Sequence, residues 1–116
     1  MNFKIINVSY IEEVCNKSPE LITEMVDIFR EQVCEFKNDM KKLYEEKKYF
    51  DLGLMAHKAK SSIAIMGMDD LAAKLKELEL QTKEGVKSEN YIEYINDFVN
   101  QTDEAIKELD NYLLTL

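Results

Sequence analysis

The sequence predicts an all-helical protein, an up-down antiparallel four-helix bundle with an additional short N-terminal helix. Apolar residues recur at intervals of three and four along several long segments, which is the spacing of an amphipathic helix. The 116 residues include only three glycines and one proline, too few turn-forming residues for a many-stranded β fold. The links between the segments are short, and short links favour antiparallel neighbouring helices.

The first two helices are recognised by the residues at their starts. Ser9 and Glu12 have the spacing of a capping box, so we expect a short first helix that begins at Ser9 and ends before Ser18. Ser18 suits the N-cap of a second helix and Pro19 its first turn, and this helix extends from about Pro19 to Glu46. Its predicted apolar positions are Leu21, Ile22, Met25, Val26, Phe29, Val33, Phe36, Met40 and Leu43.

The second half of the chain continues this pattern. A third helix extends from about Tyr49 to Met66 and stops at Gly67, and Asp69 is placed to cap a fourth. Gly85 is a C-terminal stop signal, and Ser88 is the expected cap of the last helix. The predicted inner faces are Leu71, Leu75, Leu78 and Thr82 in the fourth helix, and Tyr91 or Ile92, Ile95, Phe98 or Val99, Thr102, Ile106, Leu109 and Leu113 in the last.

Length and charge restrict the domain count and the partners. No linker or repeat interrupts the helical pattern, so we expect a single domain over residues 1–116. The net charge of −8 argues against nucleic acid and against an anionic membrane surface as partners. No export signal is visible, and no apolar run approaches the roughly 20 residues that span a bilayer. We therefore expect a cytoplasmic protein, and a monomer, because its apolar stripes are used up within one bundle.

The chain has one histidine, His57, which the helical period places on the exposed side of the third helix. At about 100° per residue, a stripe suited to the core lies roughly opposite it: Leu52, Met55, Ala56, Ala59, Ser62, Ile63 and Met66. Within about 60° of it lie Gly53, Leu54, Lys60, Ser61 and Ala64, with Met68 in line if the helix extends that far. We expect an imidazole that another molecule can reach.

A single exposed histidine is compatible with several chemistries. A metal site requires several converging ligands, and the Glu-x-x-His motif of di-iron bundles is missing because Leu54 stands three residues before His57. No nucleophile motif and no glycine-rich nucleotide loop accompanies it. A surface histidine without a function stays open. A phosphate carrier fits better, since a neutral ring nitrogen can attack a phosphoryl group.

The neighbours of His57 fit that interpretation. Lys60, one helical turn later, can pair with phosphoryl oxygens. Gly53 and Ser61 are small and leave the ring accessible. A glycine inside a helix costs up to about 1 kcal/mol relative to alanine, so Gly53 is either functional or a tolerated surface defect.

These residues resemble the histidine-containing phosphotransfer (HPt) domains of bacterial phosphorelays. The family signature is Ala-His-x-Leu-Lys-Gly-Ser/Ala-Ser/Ala, followed by a glycine and a leucine, and the matching positions are Ala56, His57, Lys60, Ser62, Gly67 and Leu71. Leu78-Glu79 and the stretch from Ser18 to Phe29 extend the similarity over most of the chain.

Two positions depart from the family pattern. Ala59 replaces the usual leucine, a loss of packing that Met55 or Met66 could fill. Ser61 replaces the usual glycine, where its hydroxyl could tune partner affinity or hydrogen-bond the imidazole or the phosphoryl group.

The resemblance implies a phosphorelay intermediate without kinase activity of its own. His57 would accept a phosphoryl group from the aspartate of a receiver domain and pass it to another receiver, with Lys60 as electrostatic helper. The receivers would belong to response regulators or to a hybrid sensor histidine kinase. No cofactor is expected on this chain, because the receiver supplies Mg²⁺. The receiver-docking surface would comprise Gly53, Leu54, Ser61, Ala64 and Met68, together with Lys60.

Two alternatives stay open. One is a helical adaptor that binds receivers or other signalling proteins without carrying phosphate, and the departures at Ala59 and Ser61 leave room for it. The other is an unrelated helical bundle in which the motif is coincidental.

Overall fold

The computed structural model describes residues 3–85 and 88–116. In these residues the helices are, in order, α1 (Val8–Val14), α2 (Pro19–Glu45), α3 (Tyr49–Ile65), α4 (Asp69–Glu84) and α5 (Tyr91–Leu113). Helices α2 to α5 pack as a closed ring in which consecutive helices are neighbours and α5 returns to α2. Helix α1 packs against α3. The predicted four-helix bundle with a short N-terminal helix is confirmed.

Side-chain contacts join neighbouring helices and show that α2 and α5 are antiparallel. Gln32 of α2 accepts a hydrogen bond from Ser62 of α3. Between α2 and α5, Arg30 pairs with Asp110 whereas Lys37, further along α2, pairs with the earlier Asp103. The bundle measures 44 × 20 × 20 Å, so the long helices run the length of the molecule. Among the described residues, no helix is both long and apolar enough to cross a membrane.

The start of α2 and the end of α4 follow the predicted local chemistry. The Ser18 hydroxyl accepts a hydrogen bond from the amide of Leu21, and Pro19 is the first residue of α2. Gly85 ends α4 in the left-handed conformation, with φ of 69°. That conformation strains residues with a Cβ, so a glycine is the suitable stop at this point.

Three predicted caps are wrong. Asn7, not Ser9, caps α1, because its side-chain oxygen accepts a hydrogen bond from the amide of Tyr10 at 3.1 Å. Asp69 is the first residue of α4 and Met68 occupies the cap position. Ser88 opens a 3₁₀ turn, and α5 begins only at Tyr91.

The inner face of α5 differs in part from the prediction. The buried positions step by four and three residues without interruption: Tyr91, Ile95, Phe98, Thr102, Ala105, Leu109 and Tyr112. The predicted Ile106 and Leu113 are half-buried, each one residue beyond a buried position. This strict heptad spacing keeps one stripe facing the partner helices, whereas an unbroken 3.6-residue period drifts around the helix.

The segment before α1 is tied to the bundle at the end where α3 and α5 terminate. The Glu108 carboxylate of α5 accepts hydrogen bonds from the main-chain amides of residues 4–6. The amide of Asn7 donates to the carbonyl oxygen of Met66 at 3.1 Å. Gly67, with φ of 75°, follows there, and a Cβ on it would overlap Asn7. The turn between α3 and α4 is therefore held close to the N-terminal segment.

Candidate functional site

His57 lies in the middle of α3, and its side chain is 60% exposed. The predicted exposure of the imidazole is confirmed. The opposite side of α3 faces the core, with Leu52, Ala56, Ala59 and Ile63 buried. Met66, just after the helix, is buried as well, and Met55 is half-buried. The ring thus points away from its own core, as the helical period predicts.

Two residues predicted to lie on the exposed face around His57 do not lie there. Gly53 is buried, because α4 packs against this side of α3 and Thr82 occupies the space where a side chain would be. Met68 is only 3% exposed, because α3 ends at Ile65 and the turn through Gly67 directs Met68 into the core. Neither residue can contact a partner at the surface, and both predictions are wrong.

The remaining predicted positions surround the ring. Leu54 is 44% exposed, Ser61 is exposed, and Ala64 is half-buried. Lys60 is half-buried, because its ammonium group is turned toward α4. Leu54 and Ser61 border His57 on the side away from α4, whereas Lys60 lies on the side of α4.

The partner of His57 is Glu79 on α4. The Nδ1 atom of the imidazole lies 3.0 Å from Oε1 and 3.1 Å from Oε2 of Glu79. The Glu79 side chain is only 9% exposed, although it is charged. A carboxylate removed from water must be compensated by hydrogen bonds or opposite charge. Here the compensation comes from both helices.

Two lysines complete the surroundings of this carboxylate. The Nζ atom of Lys60 lies 3.5 Å from Oε1 of Glu79, and that of Lys83 lies 3.3 Å from Oε2. The hydrogen bond with His57 is the largest cause that holds the pKa of Glu79 down, from 4.5 to about 2. Burial acts in the opposite direction, and the Lys83 hydrogen bond and the charge of Lys60 reinforce the lowering. Glu79 is therefore ionised throughout the physiological range.

The ionised carboxylate determines which ring nitrogen carries the proton. An ionised carboxylate only accepts hydrogen bonds, so the proton of a neutral His57 is assigned to Nδ1. The lone pair is then on Nε2, at the far end of an exposed ring. A nitrogen with a free lone pair that faces solvent is a nucleophile that an incoming electrophile can reach.

An apolar stripe along α3 frames the ring. Phe50 lies two turns before His57 and Ile65 two turns after it, and they are 61% and 40% exposed. Neither was included in the predicted surface. The helical period alone could have predicted Phe50, because Phe50 falls within about 20° of His57 on the helix. Together with Leu54 they form an apolar border suited to a protein partner.

Glu79 and Lys83 are the residues of the site that sequence reasoning missed as participants. Glu79 entered only as part of the Leu78-Glu79 resemblance, without a role. The available signal was its position: it lies four residues after the core residue Leu75 and three before the buried Thr82, so it borders the inner face of α4. A carboxylate at such a position requires a partner, but the helical period of α4 alone does not identify it.

Within residues 3–85 and 88–116, no three His, Cys, Asp or Glu side chains are arranged so that they could hold a metal ion.

A comparison with protein families places this geometry in context. A family model described as Hpt domain matches residues 24–112, which is most of the chain and includes both helices of the site. Searches of curated proteins and of solved structures gave no significant match.

Proposed function

Because the chain belongs to the Hpt domain family, we propose that it is a phosphorelay intermediate in which His57 accepts a phosphoryl group and passes it on. The donor and the acceptor are receiver domains, of response regulators or of a hybrid sensor histidine kinase, each of which carries the group on an aspartate. The observation that carries the proposal is the hydrogen bond between Nδ1 of His57 and the buried carboxylate of Glu79.

The transfer step follows from the assigned tautomer. The Nε2 lone pair of His57 attacks the phosphorus of the aspartyl phosphate, and an N–P bond forms while the bond from phosphorus to the aspartate oxygen breaks. The aspartate leaves as a carboxylate with the electron pair of that bond. The ring keeps its Nδ1 proton and becomes a phosphorylated imidazolium. In the onward step the aspartate of a second receiver attacks the phosphorus, and the electron pair returns to Nε2.

Glu79 assists this step electrostatically. Positive charge develops on the imidazole as the N–P bond forms, and the carboxylate at 3.0 Å from Nδ1 stabilises it. The stabilisation is preorganised, because Glu79 is ionised and held by Lys60 and Lys83 before the partner arrives. The reverse step benefits equally from this geometry, as a reversible carrier requires.

The two lysines balance the charge of the transferred group. One carboxylate and two ammonium groups leave the surroundings of His57 net positive, and a phosphoryl group on Nε2 is negative. Lys60 lies on the histidine's own helix one turn away, and its flexible stem lets the ammonium group turn from Glu79 to a phosphoryl oxygen. Lys83, half exposed on α4, can do the same from the other side.

The receiver docks on the exposed part of α3. Leu54, Ser61 and Ala64 surround the ring, and Phe50 and Ile65 extend the apolar border along the helix. Mg²⁺ would be held by the receiver and would supply positive charge to the phosphoryl oxygens. The hydroxyl of Ser61 lies one turn from His57, where it modulates the fit of the partner without closing access to the ring.

The test mixes the purified protein, or its His57→Gln variant, with a receiver domain that a small acyl phosphate has phosphorylated. Intact-mass spectrometry then looks for the added mass of one phosphoryl group. We expect it on the parent protein only, labile to acid and stable to base, as a phosphohistidine is. Because the His57 side chain is 60% exposed, the variant should keep its helical signal, whereas its thermal midpoint should fall because the buried carboxylate of Glu79 loses the imidazole.

Two results would contradict the proposal. Binding of receivers without any transfer would favour a helical adaptor that carries no phosphate. A phosphoryl group that persists on His57→Gln would place the acceptor elsewhere in the chain.

A further inference from the structure

Gly53 of α3 and Thr82 of α4 lie in close contact. A Cβ placed on Gly53 would overlap the Thr82 hydroxyl oxygen and would stand 3.0 Å from the Thr82 Cβ and 3.6 Å from the carbonyl oxygen of Glu79. Real Cβ atoms essentially never come within 3.0 Å of another atom. With the Thr82 side chain as it lies, no side chain fits at position 53 unless Thr82 or the helices shift.

This contact is stacked directly beside the His57–Glu79 pair. Gly53 lies one turn before His57 on α3, and Thr82 lies three residues after Glu79 on the antiparallel α4. One helical turn is about 5.4 Å. A change in helix separation at Gly53 and Thr82 therefore changes the separation at His57 and Glu79 by almost the same amount.

Thr82 cannot easily yield to a larger neighbour. Its hydroxyl donates a hydrogen bond to the carbonyl oxygen of Glu79 at 2.8 Å, and its side chain is buried. Its β-branched side chain is also stiff about χ1. A methyl group at position 53 would therefore push the helices apart rather than displace Thr82.

The His57–Glu79 hydrogen bond tolerates little separation. It is 3.0 Å long, and such bonds are lost beyond about 3.5 Å. Relief of the overlap at Gly53 requires an opening on the order of 1 Å, which exceeds that margin.

We propose that Gly53 is a positioning residue for phosphotransfer: its missing side chain lets α4 approach until Glu79 reaches Nδ1 of His57 and fixes the ring tautomer. The inference rests on the proposed function for the role of the tautomer. An interior glycine is less favourable in a helix than alanine, and at position 53 it serves this approach of α4 and not access to the surface.

The test measures the tautomer in the free protein. Nitrogen NMR of labelled imidazole distinguishes a proton on Nδ1 from one on Nε2. We expect parent protein to hold it on Nδ1, whereas Gly53→Ala should shift the balance toward the Nε2–H form that free histidine prefers. The rate of phosphoryl transfer should fall about tenfold in the same variant. Lys58→Ala, an exposed position on the same helix, is the matched control and should change neither.

A compensating change separates positioning from general damage. Gly53→Ala combined with Thr82→Ala removes the overlapping hydroxyl and leaves the 3.0 Å contact between the two Cβ positions. We expect the fraction of the Nδ1–H tautomer and the transfer rate of the double variant to lie between those of Gly53→Ala and those of Thr82→Ala. If Gly53→Ala does not fold, the double variant still shows a shifted tautomer balance against Thr82→Ala.

An unchanged tautomer in Gly53→Ala would overturn the proposal, even if the thermal midpoint falls. If Gly53→Ala does not fold, an unchanged tautomer in the double variant against Thr82→Ala would overturn it. The tautomer is read without any phosphoryl donor. A shift in tautomer with no transfer in any variant, the parent included, would therefore refute the proposed function while the positioning by Gly53 stands.

Discussion

Two faces of the bundle pair charges across antiparallel helices, and they do so in different ways. Between α2 and α5, Arg30 pairs with Asp110 and Lys37 with Asp103, and both partners of each pair lie at least partly in solvent. Between α3 and α4, a single carboxylate that is almost buried, Glu79, serves three donors.

The difference lies in what the charge does after folding. Exposed pairs contribute about 0 to 1 kcal/mol each and are screened by salt, so those of α5 chiefly favour the correct register. A buried carboxylate is costly unless every neighbour is in place. At the α3–α4 face, that requirement orders a histidine and its proton. Ion pairs therefore favour the register of the helices at the α2–α5 face, whereas at the α3–α4 face they orient the imidazole of His57.

The largest expected effect on stability comes from removal of the buried charge. Glu79→Gln keeps the shape but loses the carboxylate, and the lowering of its pKa from 4.5 to about 2 corresponds to about 3 kcal/mol of unfolding free energy near neutral pH. Chemical denaturation of the two proteins at neutral pH measures the difference. A loss no larger than that of an exposed pair would remove the contrast between the two faces.

The pH dependence of that difference has a definite sign. The folded-state pKa of Glu79 is depressed, so its contribution is fully present above the ordinary value of 4.5 and is lost as the pH falls toward about 2. The unfolding free energies of the parent and Glu79→Gln should therefore converge over this interval. A constant separation would mean that the charge of Glu79 is not what stabilises the pair.

A smaller effect is expected from Lys60→Ala, and it falls on rate. The phosphoryl group loses one of two flexible cations, so transfer should slow about tenfold without stopping. Time courses of transfer from a phosphorylated receiver measure it, with the exposed Lys58→Ala as control. An unchanged rate would exclude Lys60 from the mechanism.

The smallest effect is expected on the opposite face. Arg30→Ala should cost at most about 1 kcal/mol of unfolding free energy and leave the transfer rate unchanged. A double-mutant cycle with Asp110→Ala isolates the coupling of the pair, which should weaken in high salt. Coupling well above that value would show that the two faces are energetically alike.

Much of the fold is encoded in features that neighbouring residues reveal. The hydroxyl of Ser18 before Pro19 and the glycine at position 85 act within one helical turn, and both helix ends lie where they predict. Asn7 was missed as a cap because Ser9 has the same local signature with Glu12. Which of Asn7 and Ser9 caps α1 is decided by the contact of Asn7 with the α3–α4 turn.

The part of the site on α3 could be predicted from the sequence, whereas the contact between α3 and α4 could not. The period of α3 placed His57 outward, which needs no knowledge of a neighbour. Glu79 lies 22 residues away along the chain, and its contact with His57 depends on how closely α4 approaches. Gly53 was predicted at the surface for the same reason. A helical wheel contains no information on neighbouring helices and treats the whole side opposite the core as solvent.

The contact between Glu108 and the N-terminal segment implies an order of assembly. It joins residues 102 to 104 positions apart, whereas the His57–Glu79 pair joins residues 22 apart. Closing the longer loop costs roughly 1 kcal/mol more in chain entropy, and long-range closure is slow. We expect the α3–α4 hairpin to form early and the N-terminal segment to dock late. Thermal opening at Glu108 can then leave the His57–Glu79 pair intact.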